Sequence, residues 1–156
     1  MSQGVDELYS LLVPLAGARL IVPRVCVAEV TGVGQLHLLD EEPSWLVGKV
    51  GWKGREIPLV SFEAACGEDM PELGSRSRAV IFHATDNLRS GYFAVMSQGL
   101  PQLVRVNPSV VSGDDDGNWP PDSPVVCRIR MINEYPLVPD LEGIERLLNA
   151  VSERWH

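Results

Sequence analysis

The sequence predicts a mostly β protein, built from many short strands and closed by one helix. Apolar and polar residues alternate over short stretches, and Gly, Pro, Asn and Asp recur between them at intervals of about ten residues. An apolar stripe of helical period stands out only near the C-terminus, at Ile144, Leu148, Val151 and Trp155. About eight to ten strands are expected, a pattern that favours compact β-barrels over alternating strands and helices.

The apolar run from Leu8 to Val22 is broken by Ala16, Gly17 and Ala18, giving a strand, a tight turn and a second strand. Pro14 has no N–H to donate to a ladder, which puts it at a strand end or edge. Arg24 to Val30 reads as a short helical turn, ended by Gly32 and Gly34. Pro43 to Val47 suits a single helical turn that stops at Gly48. A hairpin follows: Val50 and Trp52 lead into Lys53 and Gly54, and Ile57, Leu59 and Ser61 alternate along the return strand.

Gly67 to Ser77, with Pro71 and Gly74, reads as an exposed crossing between two sheet-forming halves of the chain. Strands are expected at Ala79 to His83 and Ser90 to Met96, with a turn at Asp86 and Asn87 between them. Further strands are expected at Gln102 to Val106 and at Val125 to Asn133. In the last of these, Val125, Cys127, Ile129 and Met131 share one face and Arg128 and Arg130 the other. Gly113 to Pro124 is too acidic and too rich in proline and glycine for a strand and is expected to be a mobile loop. The final helix begins near Leu141, with Asp140 as its N-cap.

The 156 residues are expected to form one domain, 1–156. A chain of that size buries roughly 68–70% of its unfolded surface, enough for a core without staples. Cys26, Cys66 and Cys127 are odd in number and far apart, which fits neither a disulfide framework nor a zinc site. The net charge of -8 repels a phosphate backbone over most of the surface, so nucleic acid is not an expected partner. No run of 18 apolar residues offers a membrane span, and MSQGVDELYS lacks the basic start and apolar run of a secretory signal. A cytoplasmic location without membrane insertion is expected.

No catalytic motif emerges. His37, His83 and His156 stand at no metal-ligand or helical catalytic spacing. The chain has no nucleophile elbow, no phosphate-cradling loop and no dinucleotide fingerprint. Asp114, Asp115 and Asp116 lack the spaced oxygen ligands of a calcium loop. No metal and no cofactor are therefore expected. One enzyme reading stays open, a small thiol-dependent enzyme using Cys66 or Cys127.

The stretch GKVGWKGREIPLVSF, Gly48 to Phe62, resembles the signature of the CheW-like domain. Its glycines fall at Gly48 and Gly54, its proline at Pro58, and its apolar strand at Ile57, Leu59, Val60 and Phe62. PSWLVG upstream, PRVCVAEV from Pro23 to Val30, SGYFAV from Ser90 to Val95 and YPLVPDLEGIERLL from Tyr135 to Leu148 are similar to further segments of that domain. Departures stand at Gly51, Lys53 and Ser61, where the family has asparagine, arginine and aspartate, and at Val95, where an aspartate is usual.

The resemblance implies two small five-stranded SH3-like barrels on a shared core, with a C-terminal helix and no active site. It implies an adaptor between the cytoplasmic tips of methyl-accepting chemoreceptors and the regulatory domain of a CheA-type histidine kinase. Chemotaxis and twitching motility driven by type IV pili are both compatible outputs. By position it places Val27, Gly48 and Gly54 at the receptor-facing groove, with Glu29 near Lys53 across it. From the residues themselves, two glycines bracketing an exposed Trp52 and Lys53 leave a backbone that a partner helix could approach closely. An exposed Glu29–Lys53 ion pair would contribute only about 0.2–1 kcal/mol and would orient more than stabilise. From spacing alone, Gly48 could equally end a helical turn and Gly54 close a hairpin, and Trp45 and Trp52 suit a core as well as an interface.

Overall fold

The computed structural model describes residues 8–34, 36–39, 42–85, 88–107, 112–114, 119–131 and 133–155. Among the described residues, twelve strands form two six-stranded sheets, where the resemblance implied five strands in each. The first sheet has the order β10-β11-β12-β2-β1-β9, from β1 (Leu8–Pro14), β2 (Arg19–Pro23), β9 (Gln102–Val106), β10 (Ser112–Asp114), β11 (Val125–Arg130) and β12 (Leu137–Pro139). The second has the order β3-β7-β8-β6-β5-β4, from β3 (Val27–Gly32), β4 (Leu36–Leu38), β5 (Leu46–Trp52), β6 (Arg55–Val60), β7 (Arg78–His83) and β8 (Tyr92–Ser97).

The two sheets are therefore not two halves of the chain. Every strand of the second sheet comes from one block, Val27 to Ser97, set between β2 and β9 of the first. Gly67 to Ser77 links strands within that block and does not cross between sheets.

Several strands are buried on both faces, and their alternation feeds two cores at once. On β7, Val80 and Phe82 enter a shared core while Ala79 and Ile81 enter the interior of the second sheet. Phe93 and Val95 of β8 do the first, Ala94 and Met96 the second. On β2, Leu20 and Val22 join the shared core and Ile21 the interior of the first sheet. A period of two thus serves an inward and a between-sheet face, which is why these strands read as continuous apolar runs.

Helix α2 (Leu141–Ala150) completes the shared core with Ile144 and Leu148, and Trp155 follows from the 3-10 turn beyond it. Asp140 caps it as expected, its Oδ1 accepting the Gly143 N–H at 3.0 Å. Two buried carboxylates tie distant segments together. Glu145 of α2 accepts the Thr85 N–H at 3.1 Å and its hydroxyl at 2.6 Å, beyond β7. Glu63 accepts the Ala16 N–H at 2.9 Å from the β1–β2 turn.

Local expectations are corrected in five places. Pro43 to Trp45 form a turn, but Leu46 already opens β5, so Gly48 lies inside a strand and ends no helix. The helical turn expected over Arg24 to Val30 stops at Cys26, and β3 begins at Val27. Ser61 does not extend β6; it caps α1 (Phe62–Ala65), its Oγ accepting the Ala64 N–H at 3.2 Å. A β-bulge at Val125/Cys127 splits the expected face of β11: Val125 packs on the shared core, Ile129 and Met131 on the interior of the first sheet. Gly113 and Asp114, expected in a loop, belong to β10, while residues 115–118 and the turn at Asp86 and Asn87 lie outside the described residues.

Candidate functional site

Strands β5 and β6 meet in a two-residue turn at Lys53 and Gly54, with φ of 50° and 78°. Both central residues in the left-handed region is the hairpin turn whose twist matches the flanking strands. Glycine takes that conformation freely, whereas lysine accepts some strain. The turn sets Trp52 directly opposite Arg55.

Trp52 is the centre of the site. Its indole Nε1–H donates to Glu29 Oε1 at 3.1 Å, and Lys53 Nζ lies 5.0 Å from its ring centroid. The expected Glu29–Lys53 ion pair is replaced by this arrangement, in which both charged groups engage the same indole from β3 and from the turn. Its ring meets Tyr92 of β8 edge to face at 4.8 Å, and the Arg55 guanidinium carbon lies 5.3 Å from the Tyr92 centroid. A shallow depression of about 420 Å³ runs between β3 and the hairpin, lined by Glu29, Thr31, Gly32, Gly51, Trp52 and Lys53.

Four of the six expected residues therefore come together: Glu29, Trp52, Lys53 and Gly54. Val27 is half-buried and packs against the shared core, so it reaches the site only through β3. Gly48 is buried, and a Cβ there would stand 2.2 Å from the His37 carbonyl oxygen of β4. Its glycine is required by the close approach of two strands, with no partner needed to explain it. Tyr92 and Arg55 are members of the site that the sequence reading did not include. Arg55 was signalled by the two-residue turn, which pairs the residues on either side of it; Tyr92 carried no local signal.

Beside this cluster, Glu56 binds His37 Nδ1 at 2.5 Å and Lys49 Nζ at 3.6 Å, and the histidine contact holds its carboxyl below the usual carboxylate value. Cys66, one of the two thiols named in the enzyme reading, is half-buried, and desolvation with Glu68 and Glu63 nearby pushes it up to about 11. No group of three or more metal-ligating side chains occurs among the described residues. No helix among them is long and apolar enough to cross a membrane.

The family model of the CheW-like domain matches residues 10–143. The chain belongs to the CheW-like domain family. The matched CheW-like region runs from β1 into α2 and includes the whole Trp52 cluster. Among solved structures, the scaffolding protein TtCheW from Thermoanaerobacter tengcongensis is similar, with a TM-score of 0.70 at 13% sequence identity. The match covers 86% of this chain and 84% of that one, and at this identity it shows a shared CheW-like fold. No curated protein sequence matches the chain.

Proposed function

We propose that this chain is a non-enzymatic cytoplasmic adaptor that couples chemoreceptor tips to a CheA-type histidine kinase through the face around Trp52. Membership of the CheW-like family supports the class of function. The observation that carries the site is the convergence of Glu29, Lys53 and Tyr92 on Trp52, which holds polar, charged and aromatic groups ready at the partly exposed β5–β6 hairpin end of the second sheet. An adaptor transmits a signal only if its partners' states differ in affinity for it, and a preorganised surface sharpens that difference. Gly54 adds one turn position without a side chain, where a partner backbone can approach closely.

Of the two thiols in the enzyme reading, Cys66 is poorly suited as a nucleophile. A thiol pushed up to about 11 is almost wholly protonated at neutral pH, and the thiolate is the reactive form.

Co-purification from native cells tests the proposal. A chemoreceptor and a histidine kinase are expected to be retained, and their identity tells whether the output is flagellar chemotaxis or pilus-driven twitching. Retention of neither removes the adaptor reading. Lys53→Glu is expected to weaken receptor capture with little change in melting temperature, because Lys53 is exposed and supports no core contact.

A further inference from the structure

A cleft of about 450 Å³ lies where α1 meets the β1–β2 turn and strands β11 and β12. It is separate from the Trp52 cluster: β6 begins at Arg55, opposite Trp52, and rises about 3.3 Å per residue before α1 begins at Phe62. Small-molecule sites usually occupy about 300–1,000 Å³ and combine an apolar lining with a few placed polar groups. Leu15, Phe62, Leu137, Trp119 and Tyr135 supply the apolar lining here, and Glu63, Glu68 and Arg128 the charges.

Glu63 is the unusual member. It is 5% exposed, and a carboxylate is seldom buried that far unless a cation is paired with it. Among the described residues no cation pairs with Glu63. Its Oε2 accepts the Ala16 N–H at 2.9 Å, whereas Oε1 has only the Ser61 hydroxyl, at a long 3.4 Å. Oε1 therefore retains acceptor capacity. Exposed Glu68 adds a second carboxylate. After desolvation, Glu68 and Glu63 are the groups that push the Cys66 thiol up to about 11, so their negative field is felt inside the cleft that Cys66 also lines.

Arg128 brings the opposite charge to the same cleft from β11, its guanidinium carbon 6.0 Å from the Tyr135 ring centroid. A purely anionic ligand would meet two carboxylates, and a purely cationic one the guanidinium. A purely apolar one would strip water from all three. A molecule with both charges and an apolar body suits every group at once.

We infer that this cleft binds a free α-amino acid with an apolar side chain. Its ammonium sits on Glu63 and Glu68, its carboxylate on Arg128, and its side chain against Trp119, Tyr135 and Leu137. Such a site lies beyond the adaptor reading and stands or falls without it.

The full chain is titrated with L-phenylalanine while the Trp119 indole N–H resonance, assigned by its loss in Trp119→Phe, is followed. A saturable shift is expected. Phenylalanine amide lacks the carboxylate and N-acetylphenylalanine lacks the ammonium. Each is expected to bind about tenfold more weakly or worse, since each leaves a charged group of the cleft unpaired. Arg128→Gln should weaken phenylalanine by a similar factor and leave the amide unchanged. Glu63→Gln should weaken phenylalanine and leave the N-acetyl compound unchanged, its amide oxygen still accepting the Ala16 N–H. Circular dichroism establishes that each variant is folded, and where Glu63→Gln is not, Arg128→Gln with the amide decides.

No shift with phenylalanine, or equal affinity for it and both blocked derivatives, overturns the inference. Tighter binding of the amide than of phenylalanine assigns the cleft to organic cations and overturns it as well. Receptor capture enters none of these titrations, so either result leaves the adaptor reading where it stood.

Discussion

Trp52 and Glu29 are joined by a hydrogen bond of 3.1 Å, although β7, β8 and β6 stand between their strands in the ladder of the second sheet. The sheet must curl on itself for the bond to form, so the contact reports closure as well as the site. Glu29→Gln is expected to move the Trp52 indole N–H resonance, since the carboxylate is replaced by a neutral acceptor. Stability should change by no more than about 1.5 kcal/mol, the upper range of a net neutral hydrogen bond. An unchanged indole resonance would mean that the bond is absent in solution.

Gly48→Ala is expected to lower stability by about 1–3 kcal/mol, the usual cost of forcing extra volume into a packed site. The added methyl would meet the backbone oxygen of His37, which cannot swing aside as a side chain can. Chemical denaturation checks this; a midpoint equal to that of the parent would show that β4 does not close on β5.

Glu145→Ala removes two hydrogen bonds from Thr85 to a buried carboxylate. Bonds to a charged acceptor contribute about 1.5–3 kcal/mol, and a loss in that range is expected. Hydrogen exchange should quicken at the Thr85 amide before it quickens in β7 or β8, because the bond holds the segment after β7 to α2.

Cys66 should react slowly with iodoacetamide at neutral pH and faster as pH rises toward 11. The same raised value makes a stability prediction. In the unfolded chain the thiol ionises near 9.0, while the folded protein keeps its proton until about 11, so the unfolded state binds fewer protons between them. Stability contributed by this group is therefore intact below about 9 and falls as pH climbs from there to about 11. Replacing Cys66 with Ala should flatten that slope in thermal melts taken across the window.

The strand-rich class, the Leu8–Val22 hairpin, the Lys53–Gly54 turn and the capped terminal helix were all legible in the sequence, because each depends on contacts between near neighbours. The two-residue turn even implied that Trp52 faces Arg55. What misled was Gly48, whose position after Pro43 and Ser44 fits a helix stop by local rules. Its real constraint is the carbonyl of His37, eleven residues earlier and on another strand. Ser61 misled for a related reason, since its alternation with Leu59 suits a strand until the hydroxyl is seen to cap α1.

By itself the sequence determined the periodicities, the turns and the sign of the net charge, which are properties of residues a few places apart or of their sum. Only the tertiary structure decided that Val27 to Ser97 forms one sheet inside the other's strands, that alternating faces feed two cores, and that Glu29 meets Trp52 rather than Lys53. The physical reason is that sheet order and curl are set by packing between strands far apart in the chain. Trp52 could be identified as a surface-capable aromatic from its neighbours, but its partners Glu29 and Tyr92 come from strands that only the folded sheet brings beside it.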